Sequence, residues 1–117
     1  MKKLFLLSTT MFLSLLVFGN SPGTTILSNI DIEKSTINWT GKKVTGQHTG
    51  AINLKSGELQ FDSGRLSGGN FVIDMTSITN SDLSEKGRGK LEGHLKSADF
   101  FDVENHPTAS FVINSVQ

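Results

Sequence analysis

The sequence predicts an all-β domain of antiparallel strands, built as a sandwich or a barrel. Three observations carry this. Apolar and polar residues alternate with period two through most of the chain. Glycine-containing turn signals punctuate the alternation at short intervals. Cysteine is absent, so packing and not disulfides must hold the fold.

The first segment is of a different kind. Lys2 and Lys3 precede an apolar run from Leu4 to Phe18, broken only by Ser8, Thr9, Thr10 and Ser14. Small residues follow at Gly19 and Ser21. A basic start, an apolar middle and a small-residue exit make a secretory signal peptide over residues 1–19. The run falls short of the roughly 20 apolar residues that cross a bilayer. Without a Cys there is no lipoprotein anchor, so the expected destination is the periplasm or the exterior. Residues 20–29 read as a polar leader, and 30–117 as one domain.

From there each element follows from its alternation. Ile30 and Ile32 alternate with Asp31 and Glu33. Ile37 and Trp39 mark the next strand, then Ile52 with Leu54, then Leu59 with Phe61. Phe71, Ile73 and Met75 mark another, and Ala109, Phe111 and Ile113 the last. Turns are expected at Lys55-Ser56-Gly57, Asp62-Ser63-Gly64 and Ser67-Gly68-Gly69. This gives about six strands joined as a meander. Residues 79–97 break the rhythm with seven charged side chains from Asp82 to Lys96. Leu91 and Leu95 are four apart, which predicts one short helix near residues 90–97 inside a charged loop. Gly87, Gly89 and Gly93 argue against a longer one. The pattern stops on a strand. A ligand-holding barrel needs about eight strands, so the sequence is expected to be incomplete at its C-terminus.

Charge and motifs narrow the function. The chain has 11 basic and 11 acidic residues. Setting Lys2 and Lys3 aside leaves it slightly acidic with no basic stripe, which disfavours nucleic acid and anionic membrane surfaces. Gly87-Arg88-Gly89-Lys90 lacks phosphate-loop spacing. Ser77, Ser81 and Ser84 have no nucleophile-elbow context. His48, His94 and His106 match no metal-ligand spacing, and no cofactor motif is present. The one kernel for catalysis, as in a barrel-scaffold hydrolase or isomerase, is His94 with Asp99 or Asp102. The latter two read more simply as turn residues around aromatics.

Several stretches resemble the YceI-like family of exported lipid-binding proteins. They are Ser35-Thr36-Ile37-Asn38-Trp39, Gly46-Gln47-His48-Thr49-Gly50, the run Phe71 to Ile78, and His94 to Val103 followed by His106-Pro107-Thr108. The last is the most specific, because its aromatic, acidic and proline positions fall in order. The commoner family form carries an Arg about two positions before the His-Leu pair. Here Glu92 and Gly93 stand before His94, and any role of that Arg is not carried over.

The resemblance implies a lipocalin-like antiparallel barrel with a helix near its mouth, present here only in its N-terminal part. It implies a binding or carrier protein, not an enzyme, for a polyisoprenoid or quinone-type lipid. The inward set is then Ile37, Trp39, Ile52, Leu54, Leu59, Phe61, Phe71, Ile73, Met75 and Phe111, with Phe100 and Phe101 over one end. His94 is either a polar group at the ligand head or a capping histidine. Alternation alone favours an exported structural β-domain with an ordinary filled core, and only the resemblance reverses that, since alternation fixes which faces are apolar and not whether the space between them is empty. Homodimerisation is left open.

Overall fold

Two long strands organise the chain. In the computed structural model, which describes residues 22–117, the elements are β1 (Thr25–Asn29), β2 (Ile37–Lys43), β3 (Gly46–Asp62), β4 (Arg65–Asn80), α1 (Glu85–Lys96) and β5 (Thr108–Ile113). β3 and β4 form one hairpin turned by Ser63 and Gly64, both with positive φ, at 50° and 79°. Two successive left-handed residues match the twist of the flanking strands, and Gly64 adopts that conformation without a Cβ penalty. β1 and β2 lie end to end on the other edge of β3, while β5 pairs with β4. Every pairing is antiparallel. The five strands make one curled sheet, a half-barrel with α1 packed on β4.

The antiparallel all-β class and the single helix agree with the sequence reading, but the strand count and several boundaries differ. Lys55-Ser56-Gly57 is not a turn. It lies inside β3, where the register slips by one residue between Leu54 and Ser56. An extra residue in one strand bends the sheet without ending it. Ser67-Gly68-Gly69 lies inside β4, again beside a register shift, opposite Gln60 and Phe61. Two expected strands therefore merge into β3. Ile30–Glu33 links β1 to β2 and is not a strand. β1 arises in the stretch read as polar leader. Its five residues are all exposed, so no alternation announces it. It exists because its backbone pairs with Glu58–Asp62, helped by a 2.7 Å hydrogen bond from Thr25 Oγ1 to Asp62. The signal-peptide reading lies outside the described residues.

The widest irregularity is in β4. Ala51 pairs with Thr79 and Asn53 with Asp74, so β4 spends five residues where β3 spends two. Side chains replace the lost ladder bonds. The Asp74 carboxylate accepts from Thr76 N at 3.0 Å and Thr76 Oγ1 at 2.6 Å. Ser77 Oγ donates to Asp74 O at 2.6 Å and accepts from Asn53 N at 2.8 Å. A strand amide that would otherwise be unpaired is thereby satisfied.

Helix α1 begins five residues before the predicted start, despite Gly87 and Gly89. Each helical glycine costs about 1 kcal/mol relative to Ala. Tertiary contacts offset this. Leu95 is buried against Ile52 and Ile78, with Leu91 alongside. The Glu92 carboxylate accepts the backbone N–H of Asn80 at 2.8 Å. Beyond the helix, Asp102 sits in the left-handed region (φ 46°) and its carboxylate accepts from Asn105 Nδ2. It is a turn residue.

Candidate apolar binding site

The concave face of the sheet is built by cross-strand pairs. Ile37 faces Ile52 and Trp39 faces Gly50 across β2 and β3. Leu54 faces Ile73 across β3 and β4, and Phe71 faces Phe111 across β4 and β5. Pairs of this kind put side chains on one face and within contact.

Trp39 is held in place. Its Nε1–H donates to the Thr79 carbonyl at 3.1 Å. Its ring lies over Gly50, where an added Cβ would come within 2.6 Å of the ring and 1.8 Å of Thr79 O. Only glycine allows this approach. The ring is thus part of the cavity wall and not free to rotate into it.

Two adjoining concavities run along the face. One, at the helix end, has about 280 Å³ and is bounded by Trp39, Ile52, Met75, Ile78, Leu95 and the Phe100-Phe101 pair. The other, toward β5, has about 390 Å³ and is bounded chiefly by Ile30, Ile37, Leu54, Phe71, Ile73 and Phe111. Both sit near the lower end of the roughly 300–1,000 Å³ typical of small-molecule sites. Ile37 and Ile52, one from each, are direct partners. The walls are almost wholly apolar. Phe100 and Phe101 meet edge to face with centroids 4.7 Å apart and remain 55% and 41% exposed. They form a hydrophobic lip.

Of the residues expected to face inward, Ile37, Trp39, Ile52, Leu54, Phe71, Ile73, Met75, Phe100, Phe101 and Phe111 bound one or other cavity. Leu59 and Phe61 lie further along β3 and bound neither. His94 also bounds neither. It stands exposed in the last turn of α1, its ring 6.1 Å from Phe100, and its carbonyl accepts from Ser97 N and Oγ. Ile78 and Leu95 were missed. Ile78 was out of phase because the wide bulge in β4 lies between it and Ile73. Leu95 carries the helix signal, but its four-residue spacing from Leu91 does not say which cavity the helix covers.

The histidines lie apart from one another in the fold. Among the described residues, no group of three His, Cys, Asp or Glu is placed to hold a metal ion. His48 Nδ1 instead lies 2.9 Å from Asp82 Oδ2. The other Asp82 oxygen accepts from Thr49 N at 2.8 Å and Asn80 Nδ2 at 2.6 Å. The bond from His48, then that from Thr49 N–H, then that from Asn80, lower the Asp82 pKa to about 2. The carboxylate is therefore ionised across the physiological range.

A family model for the YceI-like domain matches residues 29–117. The chain belongs to the YceI-like family. No curated protein matches it. The curled antiparallel half-barrel and its single helix are thus the form this YceI-like domain takes over the matched residues. Membership suggests a protein of the polyisoprenoid-binding type, and the family is one of binding proteins rather than enzymes.

Proposed function

We propose that this YceI-like protein is an exported carrier or store for a long-chain polyisoprenoid or quinone-type lipid, held along the apolar concave face. The observation that supports this most directly is the open, almost wholly apolar trough. An isoprenoid tail offers no hydrogen bonds, so its affinity must come from leaving water, at roughly 25 cal/mol per Å² of apolar surface. A trough walled by Ile, Leu, Phe, Met and Trp gives that and little else. Met75 suits a wall that adapts to an irregular chain. The basic-apolar-small start of the sequence supports export to the periplasm or beyond.

Among the described residues the buried hydrophobic set is Ile52, Ile78 and Leu95. A structural domain with a filled core is the alternative, and it differs in one observable: it would take up no apolar ligand.

Organic extraction of the protein purified from its native envelope, followed by mass spectrometry, is the test. A polyisoprenoid or quinone-type lipid in near-stoichiometric amount is expected. Trp39, the only tryptophan, supplies a second readout, since a quinone in the trough should quench it. An empty extract together with unquenched fluorescence overturns the proposal.

A further inference from the structure

The concave face does not end with its apolar lining. Inward residues along β2 are Ile37, Trp39 and Gly41, and their partners on β3 are Ile52, Gly50 and His48. His48 therefore stands one step beyond the Trp39–Gly50 pair, on the same face. Gly41 itself bounds the helix-end cavity. A Cβ added at Gly41 would meet only the Trp39 ring, at 3.8 Å. The space over Gly41 is thus open, with the indole on one side and the strand position of His48 across from it.

His48 is fixed by a chain of hydrogen bonds. Asp82 takes Nδ1, and Thr49 N and Asn80 Nδ2 hold Asp82. Asn80 is buried and is held in turn, its N–H by Glu92 and its Oδ1 by the N–H of Leu83. A carboxylate on Nδ1 sets the orientation of an imidazole and leaves Nε2 for another partner. The His48 and Asp82 side chains are 31% and 35% exposed, so the dyad sits at the rim and not inside.

The geometry points to His48 as the head-group contact of the lipid site, its Nε2 hydrogen-bonding a neutral hydroxyl or carbonyl oxygen at the end of a chain lying in the trough. This rests on the carrier reading above. A neutral ring with its Nδ1 proton on Asp82 presents Nε2 as an acceptor for a hydroxyl. A protonated ring presents an N–H to a carbonyl. A diphosphate fits poorly, because it would bring its charge beside the Asp82 carboxylate, with Glu92 in the same network. Lys43, next on this face of β2, is the one cation there and lies at the exposed hairpin end.

The full chain is titrated by Trp39 fluorescence with three probes: geranylgeraniol, its diphosphate, and a tetraprenyl hydrocarbon without oxygen. The alcohol should bind about fivefold tighter than the hydrocarbon, the size of one net hydrogen bond. His48→Ala should erase that preference and leave the hydrocarbon unchanged. His48→Gln, which keeps a donor and an acceptor, should retain part of it. Should His48→Ala melt too low to titrate, His48→Leu fills the ring's volume without a polar group and carries the same comparison. Equal binding of alcohol and hydrocarbon by the unaltered protein, or tighter binding of the diphosphate, overturns the head-group assignment and leaves the carrier reading standing. If none of the three binds, the carrier reading falls and this falls with it.

Discussion

The two ends of the β3–β4 hairpin carry similar residues and behave differently. At the helix end, Ile52, Ile78 and Leu95 are buried together, Asn80 is buried and hydrogen-bonded, and Trp39 is fixed over Gly50. At the turn end, Ile26, Leu27 and Leu66 remain 53%, 59% and 36% exposed although their strands are paired. A second layer makes the difference. Strand pairing satisfies the backbone at both ends, but only the helix and the Phe100-Phe101 lip remove apolar surface from water. Stability and the cavity wall are therefore concentrated at one end, and substitutions should be felt there first.

The largest effect is expected at Gly50. An alanine there places its Cβ 1.8 Å from Thr79 O and 2.6 Å from the Trp39 ring. Either the β3–β4 ladder parts or Trp39 leaves its hydrogen bond. We expect Gly50→Ala to cost about 3 kcal/mol or more. Thermal unfolding by circular dichroism, read beside the Trp39 emission maximum, checks both outcomes. Retention of the native melting temperature with unshifted emission would contradict the picture of the indole pinned against backbone.

Next comes one substitution made at both ends. Leu95→Ala empties a buried position and is expected to cost about 2–4 kcal/mol. Leu27→Ala removes the same atoms from an exposed edge position and should stay within about 0.5 kcal/mol. Urea midpoints at constant slope measure the pair. Equal losses would mean that the two ends do not differ as burial indicates.

How far this was readable in the sequence follows from where the period of two holds. Ile37, Trp39, Ile52, Leu54, Phe71, Ile73 and Phe111 alternate cleanly in the sequence, and the β2–β3 and β4–β5 ladders that hold most of them run without a register shift. Phase was lost wherever a bulge inserts residues. Lys55 inside β3 mimics a turn, and the wide bulge after Asp74 hides Ile78. The local bonds among Asp74, Thr76 and Ser77 do not by themselves mark a bulge, because the one that satisfies the unpaired β3 amide runs from Asn53 N to Ser77 Oγ, 24 residues away. β1 was invisible for another reason: it buries neither face and is strand only by pairing. His48 continues the inward series Ile52, Gly50, His48 by the same period of two. Its partner Asp82 lies beyond β4 and meets it only in the fold.

The smallest expected effect separates the ends by pH. Both hold an aspartate whose pKa lies below the usual 3.8: Asp82, bonded by His48, Thr49 and Asn80, at about 2, and Asp62, bonded first by Thr25. A carboxylate with a lowered folded pKa adds stability above its unfolded value and loses it as pH falls through the folded one. The Asp82 contribution should thus be intact above about pH 4 and lost as pH falls toward about 2. Both groups are open to solvent, so each loss is modest and screened by salt. Asp82→Asn should flatten the acid limb of the stability curve over that window, and Asp62→Asn should do so less, because it has no imidazole partner. Melting temperatures of the two variants from pH 5 to 2 decide it. A steeper dependence on Asp62 than on Asp82 would show that the His48 bond does not hold the carboxylate ionised, and would remove the fixed orientation on which the head-group assignment depends.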